Sequence, residues 1–272
     1  MTTLPSEPEG TPASGTHLQR DVAESFGENA ARYDRARPTY PADLIERIVA
    51  DSPGTDVLDV GCGTGISARL FQAAGATVLG VDPDPRMAEL ARQGGTAVEV
   101  SKFEDWDPAG RLFGTVIAAQ AWHWVDPLAG AAKAAAALRR GGRLAVFWNA
   151  FEPPGQLRVA FAEVFRQVRP ETPFGDFWTK SALDLYRTGC VRAADAIRET
   201  GAFGEPEEWL SHWERAYTRD EWLDLVRTTG GFSRHPRDIQ EQLLAGLGAA
   251  VDAAGGVFTM AYDTIACTAV RT

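Results

Sequence analysis

The chain has 272 residues, 44% hydrophobic and 24% charged, with 37 acids against 27 lysines and arginines and a formal charge of −10. Such a length suits one enlarged domain, or a domain carrying a subdomain, and it can bury a substantial core without disulfides or metal. The acidic balance excludes broad electrostatic binding to nucleic acid or anionic lipid, since nothing would neutralise phosphates.

Residues 1–20 are rich in Pro, Gly, Ser and Thr with almost nothing to bury, and they read as a flexible tail. A helical stretch begins at Asp21 and leads into Tyr33-Asp34-Arg35-Ala36-Arg37-Pro38-Thr39-Tyr40-Pro41. Pro41 suits the first turn of a new helix, with Leu44, Ile45, Ile48 and Val49 on its apolar face. Short apolar runs then alternate with helical segments. The pattern predicts strand 57–60, helix 66–74, strand 76–81, helix 85–93 and strands 97–100 and 115–119. An Ala-rich helix over 128–140 follows, with Arg139 and Arg140 in its last turn and Gly141-Gly142 as its stop, and then strand 143–148. Strands and helices in this rhythm mean crossover units and a parallel sheet covered on both faces. The rhythm stops at Asn149. Residues 151–206 carry Pro153-Pro154, Pro170, Pro173 and many aromatics, and read as an inserted helical lid or as a cap without substrate contact. A strand over 209–217 comes next. Thr218-Arg219-Asp220-Glu221 has capping-box spacing and opens a helix. A long helix over 237–254, Gly255-Gly256 and a last strand over 257–270 complete the chain. The expected division is a tail (1–20), a core (21–150 with 207–272) and the lid (151–206).

The strongest chemical signal is Asp59-Val60-Gly61-Cys62-Gly63-Thr64-Gly65, between a strand and a helix. Glycines there let the backbone turn sharply and approach a ligand. Ile66 stands where a dinucleotide fingerprint wants its third glycine. Asp59 would repel phosphates but suits an ammonium or sulfonium group. Asp82 ends the next strand, where a carboxylate can accept from both hydroxyls of an adenosine ribose. The cysteines Cys62, Cys190 and Cys267 are widely separated and odd in number, and His17, His123, His212 and His235 are isolated. No disulfide framework and no metal site are therefore expected, and a reducing cytoplasm fits. There is no apolar run near the ~20 residues that span a bilayer, and no cationic leader, so no membrane partner is expected.

With these residues in place, VLDVGCGTG (57–65), GVDPDP (80–85), FEDWD (103–107), QAWHWVDP (120–127) and GGRLAVFWN (141–149) resemble the successive motifs of class I S-adenosylmethionine-dependent methyltransferases. The opening FGENAARYDRARPTYP (26–41) is similar to the start of a small-molecule branch related to trans-aconitate methyltransferase. The resemblance implies an α/β, Rossmann-like, doubly wound sheet of seven mostly parallel strands with an antiparallel last strand and the helical lid. It implies S-adenosylmethionine as cofactor and S-adenosylhomocysteine as product. Asp59, Gly61, Cys62 and Gly63 would border its methionine and ribose, Gly65 would permit the turn, and Asp82 would bind the ribose hydroxyls. Pro83 and Met87 would touch the adenine, with Phe103 and Glu104 best matching the residues at its edge; Ser101-Lys102 stand where an acid is often found. Ala119 and Gln120 would pass close to the methionine, with Trp122, His123 and Trp124 beside the transferred methyl. Tyr33, Arg37 and Tyr40 would fold over the cofactor, or else pin the N-terminal helices.

The candidate catalytic residues are His123 and Tyr33. His123 is either a general base for a phenol or amine or a structural hydrogen-bonder. The resemblance implies in-line displacement at the sulfonium methyl by a small-molecule acceptor: a carboxylate, a hydroxyl or an amine. Selectivity is expected in the lid and around Trp209, Trp213, Phe258 and Tyr262. A nicotinamide-dependent oxidoreductase and a non-catalytic cofactor-binding protein are the alternatives. The chain is expected to be a monomer or homodimer.

Overall fold

Short apolar runs cut by glycines and prolines become seven strands of one sheet in the computed structural model, which describes residues 26–171 and 174–272. The expected tail, with His17, lies outside the described residues, as does the start of the first helix. A 3-10 turn (Phe26–Asn29) leads into α1 (Ala30–Ala36), followed by α2 (Ala42–Ala50), β1 (Asp56–Val60), α3 (Ile66–Ala73), β2 (Thr77–Asp82), α4 (Pro85–Gln93), β3 (Ala97–Val100) and β4 (Phe113–Ala119). A 3-10 turn (Trp122–Trp124) opens the path to α5 (Pro127–Ala137) and β5 (Leu138–Glu152). Then come α6 (Gly155–Val168), α7 (Phe174–Phe177), α8 (Ala182–Thr200), β6 (Glu207–Thr218), α9 (Arg219–Arg227), α10 (Gly230–Ser233), α11 (Arg237–Ala253) and β7 (Val257–Val270).

The strand order is β3-β2-β1-β4-β5-β7-β6, parallel except that β7 runs antiparallel to both β5 and β6. Alternate side chains sort to the two faces. Val57, Val78, Ile117 and Phe147 pack under Leu44, Ile48 and Phe71 of α2 and α3. Leu58, Val116, Leu144 and Val146 pack under Ala131 and Ala134 of α5 and Ala193 and Ile197 of α8. The capping box forms as expected: Thr218 Oγ1 accepts from the Glu221 backbone, and Glu221 reaches back to the Thr218 N–H.

Two readings need correction. Arg139 and Arg140 are not the last turn of a helix, because α5 ends at Ala137 and β5 has already begun. A register shift lets Leu138 pair with Phe113 before Arg143 pairs with Thr115; Gly141, at φ +79°, makes the bend. Arg139 instead donates to Asp56 and to the Leu112 carbonyl. The segment 151–206 is not one body either. It starts inside β5, and its second half, α8, covers the sheet like any crossover helix, with Cys190, Ala193 and Ile197 in the sheet core. Its first half joins a separate cluster.

That cluster sits where β5, β6 and β7 outrun the rest of the sheet, at 15, 12 and 14 residues against four to seven for β1–β4. Their extensions carry Phe151, Tyr217, Phe258 and Tyr262 beneath α6, α9 and α11, with Ala36 of α1 reaching in. The extension is formed by the C-terminal ends of β5 and β6, paired with the start of β7. In an open α/β sheet, that edge is where ligands bind.

Candidate functional site

The site begins at the turn after β1. Gly61, Gly63 and Gly65 all hold positive φ (+65°, +55° and +84°), which L side chains rarely adopt. At Gly61 space is also limiting: a Cβ there would lie 2.5 Å from the Ala121 Cβ. The Gly61 and Cys62 N–H groups donate to the Val81 carbonyl at 2.8 and 3.3 Å, tying the turn to the end of β2.

Asp82 ends β2 beside this turn. Its Oδ2 accepts from the Gly63 N–H at 2.8 Å and its Oδ1 from the Asp84 N–H at 2.9 Å. Each oxygen keeps lone-pair capacity for a further donor. Burial pushes this carboxyl up to about 6, although the backbone bonds favour its charged form. Asp59, fully buried under the turn, accepts from Ser67 Oγ at 2.6 Å through Oδ2, while Oδ1 has no partner. Burial pushes it to about 7.

Gln120 stands at the end of β4 with φ +54°, outside the usual range for a residue other than glycine. Its N–H donates to the Phe147 carbonyl at 2.8 Å, and it is 3% exposed, yet neither end of its carboxamide makes a hydrogen bond of normal geometry. The Tyr186 hydroxyl of α8, held up at about 12 by burial, faces it. That hydroxyl is a side-chain partner of Gln120, and the carboxamide keeps donor and acceptor capacity for a ligand.

A cleft runs along this edge. Tyr33, Gly61, Gly63, Asp82, Pro83, Met87, Phe103, Glu104, Ala119 and Gln120, all expected from sequence, line it. Tyr33 of α1 and Trp124 pack on Met87 to form its roof. Glu104 lines it with one oxygen already taken, since Oε1 accepts from the Asp126 N–H at 2.9 Å. Sequence reasoning missed Ala121 and Val125 as walls and Tyr186 as a neighbour of Gln120. Nothing local marks the first two. Tyr186 stood only as one aromatic among many in 151–206.

Six expected cofactor residues do not line the cleft. Cys62 packs beneath β2 among Ala88, Ala91 and Val98, opposite Gly80. Gly65 caps α3. Asp59 sits below the turn. Trp122 is a core residue packed on Phe103, 6.2 Å between ring centres. Arg37 lies over the Tyr33 ring at 4.7 Å and donates to the Thr228 carbonyl of the cap, so it joins α1 to α9. His123 is held from behind: the Trp148 indole donates to its Nδ1 at 3.2 Å. An indole nitrogen only donates, so the His123 proton is on Nε2, which has no partner. Burial drives the ring down to about 3. His123 is thus a neutral imidazole held against the Trp148 indole. Trp209, expected near the acceptor, lies on the other face between Arg47 and Arg143, at 3.6 and 4.8 Å. Phe258, Trp213 and Tyr262 do gather in the cap cluster.

Among the described residues, no cluster of three or more His, Cys, Asp or Glu could hold a metal, and no helix is long and apolar enough to cross a membrane.

Comparison with known proteins agrees with this geometry. A family model described as a methyltransferase domain matches residues 33–185. The chain is similar to an uncharacterized methyltransferase of Mycobacterium bovis, 38% identical over 213 residues that cover 67% of this chain and 84% of that protein. A shorter match, 36% identical over 86 residues (30% of this chain, 33% of the other), is to a malonyl-[acyl-carrier protein] O-methyltransferase of Serratia marcescens. A solved chain of Anaeromyxobacter dehalogenans, assigned as a type II methyltransferase, superposes with TM-score 0.63 at 22% identity. It covers 85% of this chain and 97% of that one, and it speaks for the fold.

Proposed function

The chain belongs to the class I S-adenosylmethionine-dependent methyltransferases, and we propose on that premise that it methylates a small-molecule acceptor in the cleft roofed by Tyr33 and Trp124. The observation that carries this reading is Asp82 locked beside Gly63 at the mouth of a three-glycine turn, in a cleft that the Gln120 carboxamide also lines. The residues fit the cofactor. Asp82 would take the ribose hydroxyls, and Gly61 and Gly63 would let the methionine portion pass close to the backbone. Pro83, Met87 and Phe103 would flank the adenine. Gln120 would meet a polar group of the cofactor or the acceptor. Bound there, S-adenosylmethionine supplies a sulfonium methyl already activated for displacement.

What remains for the protein is alignment and exclusion of water. Tyr33 and Trp124 close the cleft from solvent. His123 does not line the cleft, so no proton transfer to the acceptor is assigned to it. Acceptors that are nucleophilic without losing a proton to the enzyme, carboxylates and free amines, suit such a site better than alcohols.

The test is turnover of S-adenosylmethionine carrying a labelled methyl, with a panel of small carboxylic acids, phenols and amines. Labelled product with at least one acceptor, accompanied by stoichiometric S-adenosylhomocysteine, is the expected result. Absence of turnover with every small molecule, together with labelling of a protein or RNA substrate, would overturn the reading.

A further inference from the structure

A second cavity adjoins the cofactor cleft, and Tyr33 is the one residue lining both. Its volume, about 510 Å³, falls in the range of small-molecule sites, roughly 300–1,000 Å³. Its walls come from α1, the end of α9, α10 and α11. Three arginines line it, Arg32, Arg227 and Arg237, against a single glutamate, Glu241. In a chain with ten more acids than bases, that local reversal of sign is distinctive. Arg237 is paired with Glu241 at 3.3 Å. Arg32 and Arg227 share one carboxylate, Asp224, at 3.8 and 3.1 Å, and one carboxylate cannot neutralise two guanidiniums. Both side chains are more than a third exposed, so they can turn to a ligand.

The same cavity has an apolar side, where Phe232 and Leu244 line it. Thr229 connects it to a small, wholly apolar cavity walled by Phe165, Trp178 and Trp222, and the buried indole N–H groups of Trp178 and Trp222 have no partner.

We propose that this cavity anchors the methyl acceptor through an anionic group, a carboxylate or a phosphate monoester, carried on an apolar body. The acceptor role rests on the methyl-transfer reading above; the anion site does not. A guanidinium fork matches the paired oxygens of either anion. The Tyr33 ring stands between the arginines and the cofactor cleft. The anchored anion is therefore a handle, and the methylated atom lies elsewhere on the same molecule.

The test is calorimetric titration of the full chain with benzoate, phenyl phosphate and uncharged benzamide, with S-adenosylhomocysteine titrated separately. Benzoate or phenyl phosphate should bind at least about tenfold more tightly than benzamide, a difference that one charge-assisted contact can supply; the tighter of the two anions identifies the source. Arg32→Gln combined with Arg227→Gln should remove that preference and leave S-adenosylhomocysteine affinity within about twofold. Asp224→Asn frees both guanidiniums and should tighten the anion several-fold, a gain that misfolding cannot produce. Equal binding of benzoate and benzamide, or anion affinity unchanged in these variants, would overturn the anion site. Failure of S-adenosylhomocysteine to bind the wild-type chain would instead count against the methyl-transfer reading.

Discussion

The two ends of the sheet bury side chains for opposite purposes. Around β1, β2 and β4 the buried groups are polar and keep capacity for a ligand: Asp59 Oδ1, the Gln120 carboxamide beside Tyr186, and an Asp82 with spare acceptor capacity. Around the extensions of β5, β6 and β7 they are aromatic and packed on one another. Phe161 stacks on Trp222 at 5.2 Å, Trp213 stacks on Tyr262 at 4.4 Å, and the Tyr217 and Tyr262 hydroxyls bond each other at 2.7 Å. The first region carries polar groups that a ligand can complete. The second is held by ring packing, and its strength is that of an ordinary core. Stability and ligand affinity should therefore answer to different residues.

The largest effect falls in the aromatic region. Trp222→Ala empties a site that is 3% exposed and should cost about 3–5 kcal/mol in urea denaturation, while S-adenosylhomocysteine affinity of the folded protein stays within a few-fold. A large loss of affinity at full stability would merge the two regions. Next is Asp82→Ala. Losing two hydrogen bonds to a charged acceptor, each worth roughly 1.5–3 kcal/mol, should weaken S-adenosylhomocysteine binding by about a hundredfold or more with little loss of stability. Unchanged affinity would show that the ribose goes elsewhere.

A smaller effect follows pH. Burial raises Asp59 to about 7 and Asp82 to about 6, so both carboxyls hold a proton more tightly folded than unfolded. Their contribution to stability is full below about pH 4 and is lost as pH rises through 6 and 7. The ligand-free protein should therefore melt at lower temperature at pH 7.5 than at pH 5 through these groups, and Asp59→Asn should flatten that slope. A slope unaltered in Asp59→Asn would place the titration elsewhere. The smallest change is Thr218→Ala, which removes the capping box of α9 and should cost about 1 kcal/mol, read as a shift in urea midpoint without any change in ligand affinity.

Much of the fold was legible because its signals are local. The helix over 85–93 and the strands over 97–100 and 257–270 match residue for residue; Asp84 and Gly94 cap the helix, and a glycine pair stands just before each strand. The Arg139–Gly142 stretch misled because Arg139 and Arg140 followed by two glycines is also how a helix stops; only pairing with β4 and the Arg271 carbonyl shows the bend inside a strand. The site divides the same way. The glycine turn and Asp82 are written in adjacent residues and backbone sterics. The left-handed Gln120, the Trp148 bond that fixes the His123 proton, and Arg37 reaching Thr228 depend on partners far along the chain, and no spacing rule exposes them.

The most direct measurement is calorimetric titration of the wild-type chain with S-adenosylhomocysteine and, separately, with NAD. The geometry at Gly61, Gly63 and Asp82 predicts one molecule of S-adenosylhomocysteine bound per chain, no measurable NAD binding, and loss of the heat signal in Asp82→Ala. Binding of NAD without S-adenosylhomocysteine, or an Asp82→Ala titration that matches wild type, would contradict it.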